Sequence, residues 1–112
     1  MWAILDENND VVRCSTEEYL AWEVSKTGME KRRIGRTKIK GHVVSTVFLG
    51  LDHGYGEIEI WFETMVFDQS KESEHPNRDL DAKRYMTWDG AVAGHAEFVK
   101  KWKAKLNKAK PV

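Results

Sequence analysis

Two stretches in the middle of the chain decide the fold: VVSTVFLGLD at residues 43–52 and EIEIWFETMVF at residues 57–67. In both stretches apolar residues alternate with other residues, which is typical of half-buried β-strands. The four residues between them, HGYG, contain glycines that favour a tight turn. The pattern therefore predicts an antiparallel hairpin in which Asp52 lies opposite Glu57.

The predicted register gives this hairpin two different faces. The core face consists of Val43, Ser45, Val47, Leu49 and Leu51 opposite Val66, Thr64, Phe62, Ile60 and Ile58. A shift by one residue would bring charged side chains onto this face, so the register is strongly specified. The reverse face consists of Val44, Thr46, Phe48, Met65, Glu63, Trp61 and Glu59. Because it mixes aromatic and acidic groups, we expect a helix, a second subunit or a partner to cover it.

The segments before this hairpin predict a smaller hairpin, a helix and an edge strand. Residues 1–14 should form the smaller hairpin, because the ENND sequence in their middle favours a turn. Ser15 and Glu18 have the capping-box spacing, so a helix should begin there and continue to about Lys26. The basic segment 31–40 predicts an edge strand, since lysine and arginine discourage edge-to-edge aggregation.

The segments after the hairpin predict a long loop and a second helix. Residues 68–83 are mostly polar and charged, and we expect a long mobile loop there. Thr87 should cap a helix whose apolar stripe has helical spacing. That stripe consists of Val92, His95, Val99, Trp102 and Leu106, and Trp88, Ala91 and Phe98 broaden it. Gly90 and Gly94 weaken the helix, and we expect them where its backbone comes close to the sheet.

Together these elements predict a single α+β domain over residues 1–112. It should contain a mostly antiparallel sheet of about five strands, made of two hairpins plus an edge strand, with two helices packed on it. The lone Cys14 cannot form an internal disulfide, which favours a reducing compartment. No apolar run is long enough to cross a membrane, and the N-terminus lacks the basic region of a signal peptide. We therefore expect a cytoplasmic protein without membrane association.

The net charge is zero, but the charges are segregated along the chain. Residues 1–25 carry one basic and six acidic residues, and residues 26–42 carry seven basic and one acidic residue. Residues 43–97 carry four basic and eleven acidic residues, and residues 98–112 carry six lysines and no acid. These blocks could pair inside the fold, or they could form surfaces that attract a charged partner. The isoelectric point near 6.9 argues against nucleic acid as that partner.

The chain contains no complete catalytic or metal-binding motif, because its four histidines lack the spacing of metal ligands. His53, His95 and Glu63 could still converge, together with Asp52, if the second helix packs on the face that carries Glu63. The alternative is that His95 is a buried structural histidine bonded to a carboxylate or a backbone group. Glu63 would then be the salt-bridge partner of an arginine. We favour this structural alternative and expect no metal and no cofactor.

Three blocks of the sequence resemble a recurrent set of small proteins encoded by phages and prophages. The blocks are VSTVFLGLDH at residues 44–53, FETMVF at residues 62–67, and RYMTW at residues 84–88 followed by Gly94-His95. The resemblance implies that the family shares polar and aromatic positions at Asp52, His53, Glu63, Tyr85, Thr87, Trp88 and His95. It implies a role in phage biology, but it implies no reaction.

These observations predict a non-catalytic, phage-encoded protein that binds a host or phage macromolecule, with inhibition of a host defence system as one form of that role. The expected contact surface consists of Phe48, Trp61, Glu63 and Met65, next to the acidic loop, and a homodimer through this face is a close variant. The alternative is a small metal- or nucleotide-binding enzyme. Its polar pocket would consist of Asp52, His53, Glu63, Tyr85 and His95. A third hypothesis is a virion or assembly component.

Overall fold

A computed structural model describes residues 1–70 and 79–108 of the chain. The elements in chain order are β1 (Trp2–Leu5), β2 (Val11–Cys14), α1 (Thr16–Val24), α2 (Lys26–Lys31), β3 (Arg33–Ile39), β4 (His42–Phe48), β5 (Phe62–Asp68), β6 (Asp79–Tyr85) and α3 (Trp88–Lys108). The α+β class is confirmed. In detail, the described residues form six strands in two sheets and three helices, instead of about five strands and two helices.

Both sheets are antiparallel. The strands β1 and β2 form a two-stranded sheet, and β3, β4, β5 and β6 form a four-stranded sheet in that spatial order. The small sheet adjoins the large one because Trp2 pairs with Leu51, just beyond the end of β4. The amide of Ala3 also donates to the Gly50 carbonyl at 2.9 Å. The first hairpin is therefore anchored to the extension of β4.

The predicted register between the two central strands is wrong by one residue. The structure pairs Val44 with Val66 and Phe48 with Phe62, instead of Val43 with Val66. The even-numbered residues of β4 and β5 consequently share the face that α3 covers, and none of those between the Val44–Val66 and Phe48–Phe62 pairs is charged. The absence of charge fits this register as well as the predicted one. Burial of the large Phe48–Phe62 pair, with ring centroids 5.4 Å apart, favours the observed register.

The two central strands are also shorter than predicted, so the tight HGYG turn between them does not exist. Residues 49–61 form a longer connection, which begins at Gly50 with a φ of +76°. Within it, the Asp52 carboxylate accepts hydrogen bonds from the amides of Gly54 (2.8 Å) and Ile60 (2.9 Å). These bonds lower the pKa of Asp52, and the connection is also closed by backbone bonds from the Leu49 amide to the Trp61 carbonyl (2.8 Å) and from the His53 amide to the Ile60 carbonyl (3.0 Å).

Helix α3 packs on the four-stranded sheet through one side of the predicted stripe, the side that contains Ala91, Phe98 and Trp102. The buried residues are Ala91, Gly94, Phe98 and Trp102. Of the predicted stripe, Trp102 is buried, His95 and Leu106 are half-buried, and Val92 is 46% exposed. Gly94 occupies the close approach expected for it, because the Tyr85 ring lies against the helix backbone at this point. Thr87 caps the helix as predicted, with its hydroxyl accepting from the Gly90 amide at 3.0 Å.

The predicted first helix is interrupted. The Ser15–Glu18 capping box is present, but α1 ends at Val24. Ser25 has extended backbone angles and its hydroxyl accepts from the Gly28 amide at 3.0 Å, so it begins a separate helix, α2. This second cap was not expected from the sequence, where the helix should continue to about Lys26.

The predicted loop at residues 68–83 is partly wrong. Its last part, from Asp79 onward, belongs to strand β6 and pairs with β5. Asp81 points to α3, where its carboxylate accepts from the Lys101 ammonium (2.7 Å) and the Trp102 indole (3.1 Å). Residues 71–78 lie outside the described residues. The predicted edge strand at 31–40 is confirmed as β3.

The aromatic residues cluster at the end of the sheet next to the small hairpin. Phe48 and Trp61 are only 1% and 2% exposed, and their rings contact each other with centroids 6.3 Å apart. Phe62 and the Trp22 ring of α1 also pack against Phe48. Burial of large aromatic surface is a major source of stability in a domain of this size.

Substitution of Gly94 by alanine should destabilise the fold, because a Cβ at this position would lie 2.2 Å from the Tyr85 ring. Tyr85 is buried and cannot move aside freely, so we expect the free energy of unfolding to fall by about 1–3 kcal/mol. Urea denaturation followed by circular dichroism measures this. The matched control is Gly90→Ala in the same helix, where the nearest atom, the Thr87 hydroxyl, would lie 3.1 Å from the new Cβ and not 2.2 Å. Equal losses in both variants would contradict the proposed contact.

Candidate functional site

A chain of hydrogen bonds fixes α3 to one face of the four-stranded sheet. The His95 ring bonds through Nε2 to the Thr37 hydroxyl of β3 (2.9 Å) and through Nδ1 to the Thr46 hydroxyl of β4 (2.7 Å). Thr46 also bonds to the Thr64 hydroxyl of β5 at 2.5 Å. Thr46 and Thr64 are fully buried, so these bonds satisfy polar groups that would otherwise be costly to bury.

The surroundings of His95 favour its neutral form. Burial lowers the pKa of the ring. Gly35 of β3 lies directly against the ring, since a Cβ there would be 2.9 Å from three of its atoms. A neutral imidazole donates from one nitrogen and accepts at the other, and two hydroxyl groups can satisfy both. His95 is therefore a structural histidine, although its partners are hydroxyls and not the carboxylate or backbone group that we expected.

The predicted polar pocket is not assembled. His95 and Tyr85 lie on the face that α3 covers, and burial raises the pKa of the Tyr85 phenol. Glu63 lies on the opposite face of the sheet, where its carboxylate accepts from Arg84 Nε at 2.8 Å. The sheet therefore separates the two groups on which an acid–base site would depend.

Asp52 and His53 lie apart from these residues, in the connection at 49–61. The Asp52 carboxylate is occupied by backbone amides, and His53 is exposed. Among residues 1–70 and 79–108, no three His, Cys, Asp or Glu side chains are arranged to hold a metal ion. The geometry of the described residues therefore offers no support for a catalytic centre built from the predicted pocket.

The face of the four-stranded sheet that points away from α3 is the candidate functional site, and we call it the outer face. Strand alternation places on it Arg33, Arg36 and Lys38 of β3, Val43, Ser45 and Val47 of β4, Glu63, Met65 and Phe67 of β5, and Asp79, Ala82 and Arg84 of β6. Its centre is apolar and its β3 side is basic. None of the described helices packs across it, although α2 borders it at the start of β3.

The outer face continues into a groove beside α2. This groove has a volume of about 390 Å³ and is lined by Met29, Arg32, Arg33, Val47, Phe48 and Leu49. Met29 is 64% exposed, so an apolar side chain of α2 extends the apolar centre of the face towards solvent. Apolar surface of this kind, bordered by charges, is typical of a binding site for another macromolecule.

The charges on the outer face are distributed unevenly. Glu63 and Arg84 pair with each other, and the Glu63 side chain is only 14% exposed. Arg33, Arg36 and Lys38 are exposed and form no ion pair with another described residue. The β3 side of the outer face is therefore a strip of positive charge that is available to an acidic partner.

Two of the four residues predicted as contact surface lie on the outer face, and two do not. Glu63 and Met65 are half-buried members of this face. Phe48 and Trp61 belong to the aromatic core, so they cannot form a contact surface in this structure. The error follows from the register, because the predicted pairing placed even-numbered residues of β4 beside odd-numbered residues of β5.

Sequence reasoning missed the threonine partners of His95 and the basic side chains of the outer face. Thr46 and Thr64 occupy the centres of two neighbouring strands, and a pair of threonines in buried strands is a signal of a cross-strand hydrogen bond. Arg36 and Lys38 alternate with Thr37 along β3, and this period of two indicates that both basic side chains share one face. Both signals are present in the sequence, but neither entered the predicted site.

Comparisons with protein-family models, curated proteins and solved structures give no match for this chain. No helix within residues 1–70 and 79–108 has the length and apolar character needed to cross a membrane.

The stability of the fold should decrease as the pH falls from 7.5 to 5.5. The pKa of His95 in the folded chain lies below its value of about 6.5 in an unfolded chain. The unfolded state therefore takes up a proton first, and the free energy of unfolding falls below about pH 6.5. The lowered pKa values of Asp52, Asp68 and Asp81 act only at more acidic pH.

Thermal unfolding at pH 7.5 and 5.5 tests this pH dependence. The midpoint should fall in the wild-type chain and in the control His53→Gln, which changes an exposed histidine. The fall should be smaller in His95→Gln, because glutamine carries no titrating group. An equal fall in His95→Gln would show that His95 is not its source.

Proposed function

We propose that this chain is a non-catalytic binding protein and that the outer face of its four-stranded sheet contacts a host or phage macromolecule. The observation that carries the proposal is the composition of this face. A half-buried apolar centre at Val47, Met65 and Phe67 lies beside a strip of exposed positive charge. Stable interfaces combine an apolar centre with a polar rim in this way.

The partner is an acidic macromolecule, in our proposal a protein. The basic strip on β3 attracts negative charge, and charge complementarity of this kind accelerates association and selects among partners. The strip contains no aromatic side chain on which nucleic-acid bases could stack. The resemblance to phage and prophage proteins supports a partner in the bacterial host. Inhibition of a host defence system is the role that we propose on this basis.

The proposal can be tested by affinity capture with the tagged full-length chain from a bacterial lysate, followed by quantitative proteomics. We expect Met65→Glu to lose at least about tenfold of the partner captured by the wild-type chain, because a carboxylate would then occupy the apolar centre. The matched control is Met86→Glu, since Met86 is an exposed methionine outside the four-stranded sheet. It should capture as much partner as the wild-type chain.

Size-exclusion chromatography of the three proteins completes the test. Equal capture by Met65→Glu and by the wild-type chain would show that the outer face is not the contact surface. A wild-type chain that runs as a monomer and retains no protein would contradict the binding function itself. A dimer that Met65→Glu dissociates would instead show that the partner is a second copy of the chain.

A further inference from the structure

Strand β3 forms a free edge of the four-stranded sheet among the described residues. It pairs only with β4, through a two-residue turn at Lys40 and Gly41 with φ values of +46° and +78°. In a turn of this type the flanking residues, Ile39 and His42, form a hydrogen-bonded pair. Hydrogen-bonded pairs then alternate along the ladder.

This alternation decides which backbone groups of β3 point away from β4. Arg36 and Lys38 lie opposite Ser45 and Val43, in pairs that are not hydrogen-bonded to each other. Their N–H and C=O groups therefore point to the free edge, and none of the backbone hydrogen bonds that the described residues form outside their helices and strand ladders uses them. A second extended chain could continue the ladder at both residues.

The two sides of this free edge have different chemistry. On the outer face, the side chains of Arg36 and Lys38 carry positive charge directly beside the edge. The opposite face of the sheet is covered by α3. The helix bonds to β3 through His95 and Thr37, and it bonds to β6 through Lys101 and Asp81. The helix therefore lies over the sheet with one flank towards β3.

The flank of α3 on the β3 side is apolar over its first turns and basic at its far end. It presents Val92, Ala96 and Val99, which have the spacing of one helical flank, and the exposed Lys103 follows one turn after Val99. Val92 is 46% exposed, and Ala96 is exposed as well. The free edge of β3 thus runs between a strip of positive charge and an apolar helix flank.

We propose that the free edge of β3 binds an extended segment of a partner protein in which acidic and apolar residues alternate. The backbone of this segment adds a strand to the sheet through Arg36 and Lys38. Its acidic side chains then lie beside the basic strip, and its apolar side chains lie against the flank of α3. Successive side chains of a strand point to opposite faces, so strict alternation fits both sides at once. The inference rests on the proposed function and specifies the chemistry of the partner.

The same features argue against the two other occupants of such an edge. Antiparallel pairing with β3 of a second copy would place Arg36 and Lys38 beside the same cations, and like charges in neighbouring strands are destabilising. The phosphates of a nucleic acid would pair with the positive charges of Arg36 and Lys38. The nucleic acid could not continue the backbone ladder or use the apolar flank of Val92, Ala96 and Val99.

The test uses nine-residue acetylated peptides and the full-length chain. A peptide of alternating glutamate and valine should bind in fluorescence anisotropy, and it should protect the amides of Arg36 and Lys38 from hydrogen exchange measured by NMR. A peptide of alternating lysine and valine should not bind. A glutamate–valine peptide with N-methyl groups on its ladder-forming amides should bind at least about tenfold more weakly, because it loses backbone donors.

Charge reversal provides the matched variant. Arg36→Glu/Lys38→Glu should bind the glutamate–valine peptide at least about tenfold more weakly and should gain affinity for the lysine–valine peptide. Its circular dichroism spectrum checks that it is folded. If it does not fold, the N-methylated peptide still tests the ladder on the wild-type chain.

Several results would overturn the proposal. One is tight binding of the N-methylated peptide, because charge alone would then suffice. Another is binding that leaves the two amides unprotected. Protection of these amides by a thymidine oligonucleotide and not by the peptide would identify a nucleic-acid site, and protection in the free protein together with a dimer would identify a second copy. Any of these results could occur while Met65→Glu still abolishes partner capture, in which case the outer face binds and the edge does not.

Discussion

The hydrogen bonds of His95 are the interaction on which the arrangement of the sheet depends. One ring joins α3 to Thr37 of β3 and to Thr46 of β4, and Thr46 continues the chain to Thr64 of β5. Because these bonds involve three strands, they determine which face of each strand the helix covers. Shifting one strand by a residue would leave buried hydroxyl groups without partners, which costs more than loss of an ordinary surface contact. The composition of the outer face follows from the same bonds.

Local signals in the sequence predicted local structure well. The capping box of Ser15 and Glu18, the Thr87 cap and the close approach at Gly94 were all readable, because each depends on neighbours in sequence or on backbone geometry. The register of β4 and β5 was not, since in both registers the central part of one face carries no charge. The deciding contacts are the buried Phe48–Phe62 pair and the bond from Thr46 to His95, which lies far along the chain. Strand β6 was missed for a similar reason, because the charge of Asp81 is compensated by Lys101 and Trp102 of α3, which lie far along the chain.

The sequence left open whether the segregated charges pair inside the fold or form charged surfaces, and the structure shows both. Some pair within the fold: Arg32 pairs with Glu23 at 3.1 Å, and Lys101 pairs with Asp81 at 2.7 Å. The cations of β3 behave differently, because Arg36 and Lys38 are exposed and form no ion pair with a described residue. Composition alone could not make this distinction. It depends on which residues of the basic segment lie in a helix turn and which lie on a strand facing outwards.

A surface built on strands has a physical advantage for binding. The backbone of β3 is held by β4 on one side and by α3 above it, so its free groups are already ordered before a partner arrives. Binding therefore loses little conformational entropy of the protein. Most of the entropy that is lost comes from ordering the incoming segment. The positive charges at Arg36 and Lys38 act against association of two copies along this edge. The features that keep the free chain from pairing with itself are therefore those that favour an acidic partner.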